Sequence, residues 1–227
     1  KSILSQIIGV QLRLYNSNNP IQMKQKLLTL LVLLTLYTVS SQEMSFIAAT
    51  NFTQFNLKNP EAYVGTPLQS GTGNAYEIAY LLPSTKDKLM YTFGLGLNEY
   101  NALAGTLANS YQWNTKYLGL RAGFEYEFVS INQFKLVPLV GMNFSTIVYG
   151  KQTTNGAVYD IRSISEFSGL KLLPYIGLKA KYKIKDYGYL SLGYNHSTSF
   201  KLSITNKEYL NISTNQIVFG LHFNVNN

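Results

Sequence analysis

"LGLRAGFEYEF", residues 118–128, sets Leu118, Leu120, Ala122, Phe124, Tyr126 and Phe128 on one parity and Gly119, Arg121, Gly123, Glu125 and Glu127 on the other. Side chains on a strand point alternately to opposite faces, so this strand has one wholly apolar face and one of glycine and charge. A single strand of this kind is ordinary in a half-buried sheet. A chain built only of such strands, with no amphipathic helix to cover them, is a different object.

The same period recurs along the rest of the chain. Eight segments show it: about 44–57, 75–82, 89–98, 113–128, 134–149, 169–184, 189–200 and 213–225. Tyr91, Phe93, Leu95 and Leu97 stand against Thr92, Gly94, Gly96 and Asn98. Ile176, Leu178, Ala180 and Tyr182 stand against Gly177, Lys179 and Lys181. Ile217, Phe219, Leu221, Phe223 and Val225 stand against Val218, Gly220, His222 and Asn224. No segment carries a convincing helical period.

The links between segments alternate in length. "STKD", "SIN" and "KDYG" are short, whereas about 58–74, 99–112, 150–168 and 201–212 are long and polar. Short turns at one end and long loops at the other mark an up-and-down meander whose ends face different compartments. A soluble barrel turns its apolar face inward, but here the opposite face is too small and polar to make a core. Turned inside out, the pattern is consistent. The apolar face meets lipid, the small and charged residues fill the interior, and the sheet closes because hydrocarbon leaves no backbone group to water. The expected fold is therefore all-β, an eight-stranded antiparallel up-and-down transmembrane β-barrel over residues 42–227. Tyr91, Tyr126, Phe128, Phe134, Tyr182 and Tyr189 are expected in an aromatic belt near the short turns. Tyr111, Trp113, Tyr117, Tyr149 and Phe200 are expected in another near the long loops.

Residues 23–41 read as a secretory signal peptide. Lys24 and Lys26 precede the apolar run Leu27–Tyr37, and small and polar residues at Thr38–Ser41 suit cleavage near Ser41–Gln42. The apolar run is shorter than the roughly 20 residues of a spanning helix. Residues 1–22 are expected to be an upstream extension without a place in the fold. Residues 1–41 hold four basic and no acidic residues, so the formal charge of +8 falls to +4 without them. No basic patch with interleaved aromatics remains, which argues against a nucleic-acid partner. Cysteine is absent, excluding disulfides, zinc-thiolate sites and cysteine nucleophiles.

Charged residues on the interior face invite pairing. Arg121, Glu125, Glu127, Lys135, Lys179 and Lys181 are expected to form an acidic–basic cluster across the lumen, because unpaired charges in a confined interior are costly. Such a cluster serves either as a structural plug or as an ion-selective path. Eight strands enclose just enough room for side chains, which favours the plug.

With its leader, alternating strands and closing "FGLHFNV", the chain resembles the small outer-membrane β-barrel proteins of Gram-negative bacteria, the OmpA-like and OmpX-like barrels. "LVPLVGMNF", "LLPYIGLKA" and the "SSQ" leader end resemble barrels of Bacteroidetes-type bacteria. The resemblance implies a location in the bacterial outer membrane, with outer-membrane lipid and lipopolysaccharide as surroundings and the barrel assembly machinery as a partner. Gly220, Leu221, Phe223 and Val225 match the last-strand signal which that machinery reads. It implies no particular activity, since adhesins, structural barrels, narrow channels and a few enzymes share this form.

Three functions follow as expectations. The first is a non-enzymatic structural or surface-interaction role through the long loops, with Tyr63, Tyr100, Tyr159 and Tyr209 as contact residues. The second is a narrow path for ions or small apolar solutes. The third is a lipid A-modifying hydrolase centred on His196, by resemblance to barrels that carry a catalytic His with Ser two residues later. Here Thr198 stands in that place, and Glu208 lies further along. No phosphate loop, metal-ligand cluster or paired-carboxylate site is present in the sequence, so no cofactor is expected.

Overall fold

Every strand with lipid on its outer face must find two neighbours, and the eight ring strands of this chain do. The computed structural model describes residues 42–58, 68–85, 88–105, 110–200 and 209–225. The expectations for residues 1–41, for Tyr63 and for Glu208 lie outside the described residues. The described part of the chain is ten strands: β1 (Glu43–Lys58), β2 (Gln69–Pro83), β3 (Leu89–Gly105), β4 (Ser110–Tyr126), β5 (Val129–Ile131), β6 (Phe134–Thr154), β7 (Ala157–Asp160), β8 (Leu170–Ile184), β9 (Gly188–Thr198) and β10 (Tyr209–Asn224). There is no helix among the described residues.

Eight of these strands close a ring in the order β1-β2-β3-β4-β6-β8-β9-β10. The seam pairs β1 with β10 along its whole length, from Glu43↔Asn224 to Lys58↔Tyr209. All ladders are antiparallel. The two remaining strands are extensions. β5 carries the chain on from β4 past a break at Glu127–Phe128 and pairs with β6 at the short-turn end. β7 pairs back onto β6 at the long-loop end. Its turn is Asn155–Gly156, both at positive φ (48° and 86°), the geometry of a type I′ hairpin.

Side-chain exposure confirms which face is which. Leu120, Ile176 and Leu192 are each more than 60% exposed, as are few large apolar groups on a water-soluble protein. On the other parity lie the buried polar groups Glu43, Ser45, Asn51, Thr92, Glu125, Lys179, Lys181, Ser191 and His222. The fold is an eight-stranded transmembrane β-barrel with inverted polarity. A hydrophobic band about 25 Å tall needs about ten residues of tilted strand. The outward series Leu118–Phe128 has that length, so Lys116 stands at the band's upper border.

Several expectations about the ends are corrected. The segment 99–112 is not a long loop, because β3 runs on to Gly105 and β4 starts at Ser110. Likewise β2 starts at Gln69, inside the presumed link 58–74, and 150–160 is a hairpin. The strands overshoot the membrane, and the polarity of their outward residues there conceals the strand pattern. Trp113, Tyr117 and Tyr189 are not belt residues. They share the inward parity of Gly119, Arg121 and Ser191, and Tyr117 is fully buried. Tyr91, Tyr126, Phe128, Phe134, Tyr149, Tyr182 and Phe200 do face outward and are exposed.

Lipid exposure of Leu120 yields a sharp test. Leu120→Arg should lower the folding free energy in phospholipid vesicles by about 2–4 kcal/mol, the cost of a cation near the bilayer midplane. At so exposed a site in water the same change would be nearly neutral. Urea titration of vesicle-refolded protein measures the difference.

Candidate functional site

From the short-turn end to the long-loop end, the interior is filled in four layers. The lowest is ionic. Lys179 Nζ lies 2.7 Å from Glu125 Oε1, and Lys181 Nζ lies 2.6 Å from Glu43 Oε1 and 3.7 Å from Glu125 Oε2. Thr92 Oγ1 donates to Glu125 Oε1 at 3.3 Å. His222 Nδ1 stands 2.5 Å from Glu43 Oε1, off the line of a hydrogen bond, while its Nε2 is 2.8 Å from Ser191 Oγ. This network ties β1, β3, β4, β8, β9 and β10 together across the lumen. Beside it, Lys135 pairs with Glu127 at 2.6 Å, and the ammonium groups of Lys135 and Lys181 flank the Tyr189 ring.

Arg121 is held separately, one layer higher. Its Nη1 donates to Glu77 Oε2 at 2.8 Å, and its guanidinium lies 3.8 Å from the centre of the Tyr175 ring. Tyr175 needs glycine to lie there. A Cβ on Gly123 or Gly141 would come within 2.2–2.4 Å of the tyrosine hydroxyl. Two neighbouring glycines on β4 and β6 thus form the socket for a ring from β8. Together Glu43, Glu77, Glu125 and Glu127 stand against Arg121, Lys135, Lys179 and Lys181, four acids against four bases.

Above the charges lies an amide and hydroxyl layer. Gln216 Nε2 donates to Asn51 Oδ1 at 2.7 Å and to Asn98 Oδ1 at 3.2 Å, and Thr53 meets Thr214 at 3.3 Å. The mouth is then closed by an apolar cluster. Phe55, Tyr100, Tyr117, Leu173 and Ile212 from the strands enclose Ile161 and Phe167 from the link between β7 and β8. Tyr117 donates its hydroxyl to the Phe167 carbonyl at 3.1 Å, pinning that link in the mouth.

The structure therefore brings Glu125, Lys179 and Lys181 into one network, leaves Glu127 and Lys135 as a neighbouring pair, and sets Arg121 apart with Glu77. Sequence reading missed Glu43, Glu77 and Tyr175. Glu43 and Glu77 have the inward parity of their strands, which was a usable signal. Tyr175 was hidden because nothing in the pattern shows that its β6 partner Gly141 and the next strand's Gly123 make room for it. Tyr100 is corrected outright. It lies on β3, 2% exposed, inside the mouth rather than on a loop. Tyr159, on β7, is 56% exposed. Tyr209 opens β10, and its side chain lies outside the described residues. On β10, Leu221 and Phe223 face outward and Gly220 inward, and Val225, just past the strand, is exposed as well.

His196 faces outward near the long-loop end. Its Nδ1 is 2.8 Å from Asn215 Oδ1 and its Nε2 3.3 Å from Thr198 Oγ1. Asn215 also accepts from the Tyr194 hydroxyl at 2.6 Å. This resembles a nucleophile–base–orienter relay, but an amide supplies no charge to steady an imidazolium. The N–H groups following Thr198 are spent as well: Ser199 N donates to Ile212 O, and Phe200 N to Leu172 O. They leave no preorganised oxyanion donors there. Among the described residues no cluster of His, Asp and Glu could hold a metal ion.

No protein-family model matches the chain, and no curated protein matches it. Solved structures do. Neisserial surface protein A superposes with a TM-score of 0.51 at 12% identity, over 82% of this chain and 97% of that one. The outer membrane protein OprG of Pseudomonas aeruginosa gives 0.46 at 12% identity, over 82% and 97%. Ail, the attachment invasion locus protein of Yersinia pestis, gives 0.41 at 12% identity, over 82% and 100%. The first of these likenesses bears on the fold alone, and agrees with the ring of eight strands.

The ionic layer makes a testable claim about stability. Glu125→Gln leaves Lys179 buried without its carboxylate and should cost about 3–5 kcal/mol in vesicle-refolded protein. Adding Lys179→Met to it removes the stranded charge and should recover much of that loss, read as the shift in urea midpoint.

Proposed function

We propose that this chain is a non-enzymatic outer-membrane protein of a Gram-negative bacterium, exported through a cleaved N-terminal signal and acting through its long-loop end. The observation that carries the reading is a filled lumen inside an inverted barrel. The wall suits lipid, and the interior offers matched charges, an amide layer and an apolar stopper in place of a water path. The strands overshoot the lipid band at the long-loop side, building a sheet that projects into the outer medium. Tyr159 and Val158 are presented there on the β6–β7 hairpin. A structural neighbour of similar fold is named a surface protein, which agrees with this role. The alternating Gly220, Leu221, Phe223 and Val225 suit hand-over by the barrel assembly machinery.

Neither alternative is favoured by an observation of comparable weight. A selective path needs unmatched charge or room, and the ionic layer has four acids on four bases. A hydrolase at His196 needs an oxyanion site, and the adjacent N–H groups are engaged.

Planar-bilayer recording tests the closed lumen. The reconstituted barrel should show no stable conductance steps, while Ile161→Ala combined with Phe167→Ala should raise the frequency of transient openings. Steady ion-selective conductance of the native protein would replace the reading with the channel. Labelling of intact cells with a membrane-impermeant reagent at a cysteine placed at Gly156 tests the orientation.

A further inference from the structure

The outer wall carries a polar cleft of about 580 Å³ just above the lipid band, lined by Glu99, Asn101, Asn114, Thr115, Lys116 and Tyr149. A single irregularity creates it. The β4–β6 ladder pairs Lys116 with Tyr149 and Tyr117 with Ile147, so Val148 is an extra residue. Below it Ser145 and Ile147 face the lumen, and strict alternation would turn Tyr149 inward too. The bulge turns Tyr149 out instead, and bulges commonly serve to re-aim a side chain. Its ring then meets two ammonium groups, Lys116 Nζ at 5.9 Å and Lys151 Nζ at 5.6 Å from the centroid.

The charges around that ring are unequal. Lys116 is paired to Glu99 at 2.7 Å, and Glu99 is itself fixed by the Asn74 N–H at 3.2 Å. Asp160 sits opposite Lys151 in the β6–β7 ladder but is gripped by Arg162, with Nη2 at 2.6 Å and Nε at 3.0 Å from Oδ2. That grip holds the Asp160 carboxyl down to about 2. Lys151, against the Tyr149 ring at the edge of the cleft, makes no ion pair among the described residues, so one cation is left over beside the cleft. Asn101 is locked in place by its own bonds to Thr72 O and from Thr115 N.

Directly beneath, Leu97 and Leu118 form the next outward pair, and they border an apolar groove of about 520 Å³. Ala48 lowers the wall there, among Phe46, Tyr76 and Phe219. A polar cleft with an unpaired cation at its edge and an apolar groove therefore meet at the membrane border. We infer that this wall of the barrel, across β10, β1–β4 and β6, binds a phosphorylated glycolipid of the outer leaflet. The phosphate lies by Lys116 and Lys151, a sugar face lies on Tyr149 with its hydroxyls near Asn101 and Asn114, and an acyl chain runs down past Leu118 into the groove. The inference rests on the proposed location in the outer membrane, and its test runs in detergent micelles, so a failure here leaves that location standing.

The test is native mass spectrometry of the folded barrel, its fold checked by heat-modifiable gel migration, with three probes: diphosphorylated lipid A, its dephosphorylated form, and phosphatidylglycerol. A one-to-one adduct with lipid A should survive desolvation, and Lys116→Gln/Lys151→Gln should weaken it roughly tenfold, as expected for two surface cations. Tyr149→Ala should weaken it as well. The charge-matched control Lys183→Gln/Lys185→Gln, at the exposed opposite rim, should leave it unchanged. Equal loss in both lysine pairs would reduce the effect to net charge and overturn the site. So would equal retention of the dephosphorylated lipid or of phosphatidylglycerol.

Discussion

Hydrocarbon offers no hydrogen-bond partner, so each backbone N–H and C=O in the membrane band must be satisfied by another strand. Everything else in this barrel is downstream of that constraint. It forces the ring shut at β1–β10, where the first and last strands pair from end to end. Closure at eight strands in turn fixes the size of the interior, which is only wide enough for side chains. The amino acids that point inward are therefore chosen for fit within a narrow tube. Gly123 and Gly141 illustrate the choice. They are small because Tyr175 lies across them, with Arg121 against its ring.

The same narrowness decides how charge is handled. An isolated ion in such a tube loses most of its hydration, and each acid in the lower half is accordingly met by a base within a few ångströms. The network also serves topology. Glu43 opens β1, and through Lys181 on β8 it spans the lumen three strands away around the ring. Bonds of this kind resist opening of the seam at the end where the chain's two described termini meet. Above them, the amide layer and the apolar stopper continue the same filling with progressively less charge, until Ile161 and Phe167 close the mouth.

Much of this was legible in the sequence, because a period of two survives wherever a strand has lipid on one side. "LGLRAGFEYEF" determines its own faces, and Glu125, Lys179 and Lys181 could be placed on one interior by parity alone. Legibility failed where that contrast fails. Beyond the lipid band both faces of a strand are polar or both are mixed, so Glu99–Gly105 and Ser110–Gln112 looked like loop although they are strand. Tyr100 and Tyr117 were misassigned for the same reason. Their inward parity was visible, but an aromatic on the interior face contradicts the simple rule of small and charged residues within. "TTNGAVYD" held a hairpin signal in Asn155–Gly156 that the polar context obscured.

A bulge is also a feature that pattern could not yield, and it bears on where such a barrel can carry function at all. The lipid-facing wall is constrained by hydrocarbon and the lumen by close packing, so most outward and inward positions are already committed. The border between lipid and water is the exception. There a side chain meets water and lipid together, and the extra residue at Val148 spends regular alternation to put Tyr149 beside Lys116 and Lys151. An irregularity that disrupts a ladder is tolerated in a membrane only where water or a ligand can satisfy what it frees. That places the departure from the ideal barrel, and the chemistry it exposes, on the outer rim and not in the tube.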